Sequence, residues 1–258
     1  MTDSATSVTQ VGFAELTRPA GDSRRDRDAV VFLPHAGGDH NSYRAIAGHV
    51  QEARVFGAVY PGRLADDGDR TMDIAGVADG FAEAFHWDAF DRVMIVGHSM
   101  GGLIAHSLCA TLEDRGYQPD GVIISSAIPP MPGLLGGPLP TEPVAVLEHI
   151  VALGGTPAEL LNSAWFREAY LPMIAADYRA VNDYMTATPP VVRSRLQLFS
   201  SDRDASISPD AMLGWREYTT GGLVATTFAG GHFYLFEDPA TVASHFSFTP
   251  ASDTRSTK

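Results

Sequence analysis

Short apolar runs alternate along this chain with stretches whose apolar residues recur at helical spacing. The runs are residues 29–34 (AVVFLP), 55–61 (VFGAVYP), 92–97 (RVMIVG), 121–127 (GVIISSA) and 195–201 (RLQLFSS). Nearly unbroken hydrophobicity over so short a length predicts strands covered on both faces, because a strand with one wet face would alternate. Helical patterns lie between them. One spans residues 41–52; another spans 73–87, with Asp73 placed to cap it; LIAHSLCATLEDRG (103–116) ends on Gly116. A short helix should start near Ser208, LVATTFAGGH (223–232) supplies another strand, and a last helix falls near 238–247. GFAELTRP (12–19) reads as an edge strand. Strands alternating with helices predict an α/β fold: a mostly parallel sheet with helices on both faces.

The alternation breaks after the fourth of these runs. Residues 128–143 (IPPMPGLLGGPLPTEP) are dense in proline and glycine, and helical segments follow at 143–153, 157–162 and 164–187. This block reads as a helical lid insertion, residues 128–195, over the C-terminal edge of the sheet. Residues 1–127 and 196–258 then form one core domain. GDSRRDRD (21–28) is expected to be a solvated turn, and the polar termini, including TPASDTRSTK (249–258), should be disordered.

Composition narrows the partners. With 258 residues the chain can bury one large core. A net charge of −13 makes nucleic acid and anionic membrane poor partners, and an acidic protein partner would have to meet a local basic patch. No apolar run reaches the roughly 18 residues of a membrane span, and MTDSATSVTQ lacks the basic and apolar parts of a secretory signal. Cys109 is the single cysteine, placed on an apolar helix face, so no intrachain disulfide can form and a reducing, cytoplasmic setting is expected. Asp66, Asp67 and Asp69 lack accompanying His or Cys and do not predict a metal site.

Chemistry concentrates at GHSMG, residues 97–101, between a buried strand and an apolar helix. A serine on a sharp strand-to-helix turn is pushed out at the end of the sheet, and the glycines on either side give the backbones room to approach. Ser99 is thus the candidate nucleophile, and it needs a base. Of the nine histidines, His232 follows a strand within AGGHFYLF, at the same end of the sheet as Ser99. His98 reads as a packing or hydrogen-bonding residue; His40, His49, His86, His106, His149 and His245 read as ordinary helix or loop residues. The base needs an acid, and LQLFSSDRDASIS (196–208) offers Asp202 and Asp204, of which Asp204 is favoured; Asp210 better suits a helix start. The oxyanion donors should be the backbone N–H of Met100 and that of Ala36, in the glycine-rich loop HAGG after the first buried strand.

LPHAGG, YPGR, GHSMGG and GGHFYL, together with LGGTPAELL (153–161) and LPMIAADYRAVNDY (171–184), resemble the type II thioesterases of polyketide synthase and nonribosomal peptide synthetase systems. The resemblance covers roughly residues 30–245. It implies an α/β-hydrolase fold, a stand-alone enzyme expected to be a monomer, and hydrolysis of acyl groups from the phosphopantetheine arm of acyl or peptidyl carrier proteins, to edit stalled units or release intermediates. By motif, Ser99 is the nucleophile, His232 the base, Asp204 the acid, and Ala36 and Met100 the oxyanion donors. No cofactor is implied beyond the phosphopantetheine carried by the substrate. Two stretches depart from the family pattern: LADDGDR after YPGR, and SSAIPPMPG after the fourth strand. The alternatives are a carboxylesterase or acyltransferase of the same fold, and a non-catalytic module that binds carrier proteins.

Overall fold

The computed structural model describes residues 11–19, 25–61, 73–131 and 136–248. The acidic loop at 66–69 and both chain ends lie outside the described residues. Among those described, seven strands form one sheet: β1 Gly12–Thr17, β2 Asp28–Leu33, β3 Arg54–Val59, β4 Arg92–His98, β5 Gly121–Ser125, β6 Leu196–Ser201 and β7 Leu223–Phe228. Their order is β1-β3-β2-β4-β5-β6-β7. β1 runs antiparallel to β3, and every other neighbouring pair is parallel. The predicted edge strand and the mostly parallel sheet are both present.

Side chains of β2 show why the run is apolar throughout. Ala29, Val31 and Leu33 enter one buried cluster, beneath the helices α2 (Ile74–Ala84) and α3 (Met100–Asp114). Val30 and Phe32 enter another on the opposite face, beside α1 (Arg44–Ala47) and the C-terminal helices. Period-2 alternation thus feeds two cores, and each large apolar side chain contributes about 1.5–3 kcal/mol by leaving water.

The sequence reverses direction across the sheet at β2. The chain passes from β2 outward to β3, then returns to β4 on the other side. Loops leaving the C-terminal ends of β2 and β4 therefore diverge and leave a crevice, where open α/β sheets place their ligands. These loops carry HAGG and GHSMG.

Several helices are shorter than their patterns predict. Residues 41–52 give a 3-10 turn, His40–Tyr43, capped by Asp39, and then α1, which stops at Gly48 because the chain must turn into β3. Between β5 and β6 lie α4 (Pro143–Leu153), α5 (Ala158–Leu161) and α6 (Leu171–Tyr184). The predicted helix at 164–187 opens with a π turn, Phe166–Tyr170. Pro172 has no N–H to donate to the preceding turn, and the π turn carries the backbone across that gap. After β6 come α7 (Pro209–Met212) and a 3-10 turn, Leu213–Tyr218; after β7 come α8 (Tyr234–Glu237) and α9 (Pro239–Ser244). The predicted last helix is divided at Asp238, whose side chain caps α9 by accepting Thr241 N–H. Helices α4 and α6 share a small apolar cluster of Val146, Ile150, Phe166, Leu171, Ile174 and Tyr178, against which Ala36 packs.

Candidate active site

Ser99 sits between β4 and α3 with φ 54° and ψ −123°. Non-glycine residues adopt positive φ only at a cost of about 1–3 kcal/mol, so the surrounding structure must hold it. Close packing does so. A side chain on Gly97 would collide with the Gly101 carbonyl, and one on Gly101 with the Leu33 carbonyl. Ser99 N–H donates to Ser125 O at 2.8 Å, which ties the turn to β5. The Met100 N–H lies in the first turn of α3, where helix amides have no internal acceptor. Neither it nor the Ala36 N–H bonds to any described residue. Ala36 itself is set by its neighbours: Tyr43 and Tyr60 hydroxyls donate to the carbonyls of Leu33 and Pro34 at 3.3 and 2.7 Å.

His232 lies on the loop between β7 and α8 and is 5% exposed. Its Nδ1 meets Asp204 Oδ2 at 2.7 Å, and the Asp204 side chain is fully buried. The other carboxylate oxygen, Oδ1, accepts from the Ser206 hydroxyl at 2.6 Å, Ser206 N–H at 2.9 Å and Ile207 N–H at 3.2 Å. Burial alone would raise the Asp204 pKa. The bond and charge of His232, with the Ser206 donors, outweigh it and hold the pKa at about 2. Asp202 serves elsewhere: its Oδ1 accepts Gly230 N–H at 2.9 Å and so shapes the loop that carries His232.

Ser99, His232, Ala36 and Met100 all line one cavity of about 410 Å³. No hydrogen bond joins the Ser99 hydroxyl to the imidazole in this structure; the two groups share the cavity wall. Leu103 and Ile128 add apolar surface from the core, and Leu139, Tyr178, Val181 and Met185 add it from the segment between β5 and β6. The space suits an apolar chain with one polar end at Ser99.

Several residues near the site were not singled out by the sequence. Ser206 is one, and its signal was the Asp-x-Ser spacing, which favours an Asx turn. His149 was read as ordinary yet lines the cavity from α4; burial, then the proximity of His232, lowers its pKa. His106 is buried against Trp215, with ring centroids 4.7 Å apart, and its Nε2 meets Tyr218 O. Ser126, at the end of β5, has φ 45°, is 2% exposed and lines the cavity. His98, by contrast, was read from the sequence as a packing or hydrogen-bonding residue, and it bonds through Nδ1 to Ser125 Oγ at 2.9 Å, which in turn meets Tyr234 OH at 2.7 Å. That chain links β4, β5 and α8 directly beneath the site.

The strand order and the strained serine between β4 and α3 define an α/β-hydrolase architecture. A thioesterase domain model matches residues 28–248, and the chain belongs to the thioesterase family. It is 32% identical over 218 residues to the phenyloxazoline synthase MbtB of Mycobacterium tuberculosis, a match covering 83% of this chain and 15% of that protein. The probable anguibactin biosynthesis thioesterase AngT of Vibrio anguillarum is 28% identical over 236 residues, covering 87% of this chain and 92% of AngT. Among solved structures, the type II thioesterase BorB of the borrelidin biosynthetic cluster is 26% identical, with a TM-score of 0.70 over 90% of this chain and 93% of that one.

Proposed function

We propose that this chain is a serine thioesterase that hydrolyses acyl thioesters from the phosphopantetheine arm of acyl or peptidyl carrier proteins. In this reading it clears stalled units or releases intermediates in polyketide or nonribosomal peptide biosynthesis. Family membership supports the reaction class, and the names of AngT and BorB support the setting. The observation that carries the reading is the Asp204–His232 pair, 2.7 Å apart, on the wall of the cavity that Ser99 lines.

The chemistry takes two steps. Ser99 Oγ attacks the thioester carbonyl carbon while His232 Nε2 takes the hydroxyl proton. Asp204 fixes the Nδ1 proton on the imidazole and stabilises the imidazolium. The carbonyl oxygen becomes an oxyanion, which the N–H groups of Ala36 and Met100 bind. Collapse breaks the C–S bond, and the imidazolium gives its proton to the departing thiolate sulfur, which leaves as the free thiol. Water then attacks the acyl-serine, with His232 taking its proton and passing one back to Ser99 Oγ. In this reading residues 128–195 cover the acyl chain as a lid; residues 132–135 of that span lie outside the described residues.

Intact-mass measurement of a panel of acylated carrier proteins tests the reading, with Ser99→Ala as control. Acyl loss is expected with the wild type and should fall by about 10⁴-fold or more in the variant. Acyl loss that survives Ser99→Ala would refute the assignment. Transfer to an added alcohol or amine in place of water would make the chain an acyltransferase.

A further inference from the structure

Residues 35–38 form a tight turn, closed by Gly38 N–H donating to His35 O at 2.9 Å. Gly37, third in the turn, has φ +76°. That value belongs to a type II turn, not type I. The two types differ by a flip of the central peptide, here Ala36–Gly37, of about 180°. Glycine at the third position permits either state, so the turn's own sequence does not choose between them.

Helix α6 makes the choice in this structure. Asp177, 2% exposed, accepts Gly37 N–H at 2.7 Å. The flipped peptide would turn that N–H away and present the Ala36 carbonyl to the carboxylate. Ile174, one turn earlier on the same helix, lies over the glycine; its Cγ1 is 2.7 Å from where a Gly37 Cβ would stand. Ala36 borders two cavities, of about 410 and 220 Å³, so the turn has open space beside it.

We propose that Asp177 is a positioning residue for oxyanion stabilisation. Its carboxylate ties the turn to α6 at the Gly37 N–H, and the pinned turn holds the preceding His35–Ala36 peptide, which bears the Ala36 N–H, in place beside Ser99. The oxyanion hole is then complete only while α6 is docked, which couples the segment between β5 and β6 to the chemistry. This inference rests on the thioesterase reading above.

The test compares Asp177→Ala with Asp177→Asn, whose amide oxygen can still accept the Gly37 N–H. Two readouts are used: hydrolysis of an acyl-pantetheine thioester, and inhibition by an alkylboronic acid, which forms a tetrahedral adduct on the serine. Asp177→Ala is expected to lower kcat by about 10- to 100-fold with KM within about twofold, and to weaken boronate inhibition by a similar factor. Asp177→Asn should stay within about threefold of wild type, because the hydrogen bond survives. Unchanged kcat and boronate affinity in Asp177→Ala, or equal loss in both variants, would overturn the proposal. Amide hydrogen exchange of Gly37 in the wild type provides a check that needs no variant: protection is expected, and exchange at the solvent rate overturns the proposal. A wild type that fails to hydrolyse the thioester, or hydrolyses it without Ser99, instead sinks the functional reading.

Discussion

Asparagine at position 204 would keep the shape of the site and reverse one hydrogen bond. The Asp204 Oδ1 accepts three donors, from Ser206 Oγ, Ser206 N and Ile207 N, at 2.6, 2.9 and 3.2 Å. In Asp204→Asn the amide oxygen stays with those donors, and the NH2 group is left facing His232 Nδ1. Nδ1 must then accept, which moves the ring proton to Nε2, the nitrogen that should take the proton of Ser99. Two magnitudes separate the possible causes of a loss. A carboxyl pKa lowered from 3.8 to about 2, the net of burial against the His232 bond and charge and the Ser206 donors, corresponds to about 2 kcal/mol, tens-fold in rate if all of it acts in the transition state. A wrong tautomer costs about 10⁴-fold, or about 5 kcal/mol. Thiol release from an acyl-pantetheine thioester, measured as kcat and KM, should show the larger figure. Asp202→Asn serves as control: its amide oxygen can still accept the Gly230 N–H, so about tenfold loss or less is expected. A loss in Asp204→Asn of only tens-fold would refute the tautomer argument, and a greater loss in Asp202→Asn would assign the acid to the wrong residue.

Further outcomes follow from the same geometry. Because the folded-state pKa of Asp204 lies below its unfolded value, its stabilisation is full above about pH 4 and is lost as pH falls towards 2; the stability gap between wild type and Asp204→Asn in urea titrations should shrink across that window and stay flat above it. Gly101→Ala should lose about 3 kcal/mol or more, since its Cβ meets the Leu33 and Pro34 backbone and not a side chain that could move; a denaturation midpoint near wild type would contradict this. Ser126→Gly relieves a left-handed φ and removes a buried hydroxyl with no partner among the described residues, so it should gain about 1 kcal/mol after the entropy cost of glycine, and a lower midpoint would count against the strain. Burial, then repulsion from His232 and His35, pushes the His98 pKa well below its ordinary value, so nitrogen NMR shifts should show a neutral ring at pH 6; a titration near 6.5 would show the ring is not desolvated.

The β-strands were legible because burial on both faces leaves one kind of pattern, and each of the five apolar runs became a strand. Helix lengths were harder. Asp39 and Gly48 confine the predicted helix at 41–52, and Pro172 converts the start of another into a π turn; both effects depend on where the backbone must go next. Ser99 and His232 could be placed from chain order and loop position alone, and the structure sets both on one cavity. Asp204 was already favoured over Asp202 in the sequence; the coordinates set its carboxylate against His232, while Asp202 meets Gly230 N–H on the same β7–α8 loop. Asp177 was invisible for another reason. Its bond to Gly37 spans 140 residues, and a carboxylate in the middle of an amphipathic helix reads as solvated until the helix is seen docked.

The proposed reaction needs one histidine to act as base while its neighbours do not compete, and the surroundings of three of the rings differ in that respect. His98 and His232 have ring centroids 5.0 Å apart, and His149 lines the same space. Two imidazolium ions at that distance repel, so a proton gained by one is denied to its neighbours. The partners decide which ring takes it. His98 is fully buried and meets a hydroxyl, and His149 is desolvated; both are pushed towards the neutral form. His232 meets a buried carboxylate that stays ionised down to about pH 2. In the proposed reaction, a proton leaving Ser99 would meet, of these three rings, the one that faces a carboxylate. The neutral His98, held by Ser125 and Tyr234, supports that acceptor's loop without adding charge beside it. Environments that drive like groups towards different protonation states are what assign acid–base roles in a site. In the proposed reaction that assignment would rest on Asp204, the carboxylate that His232 meets.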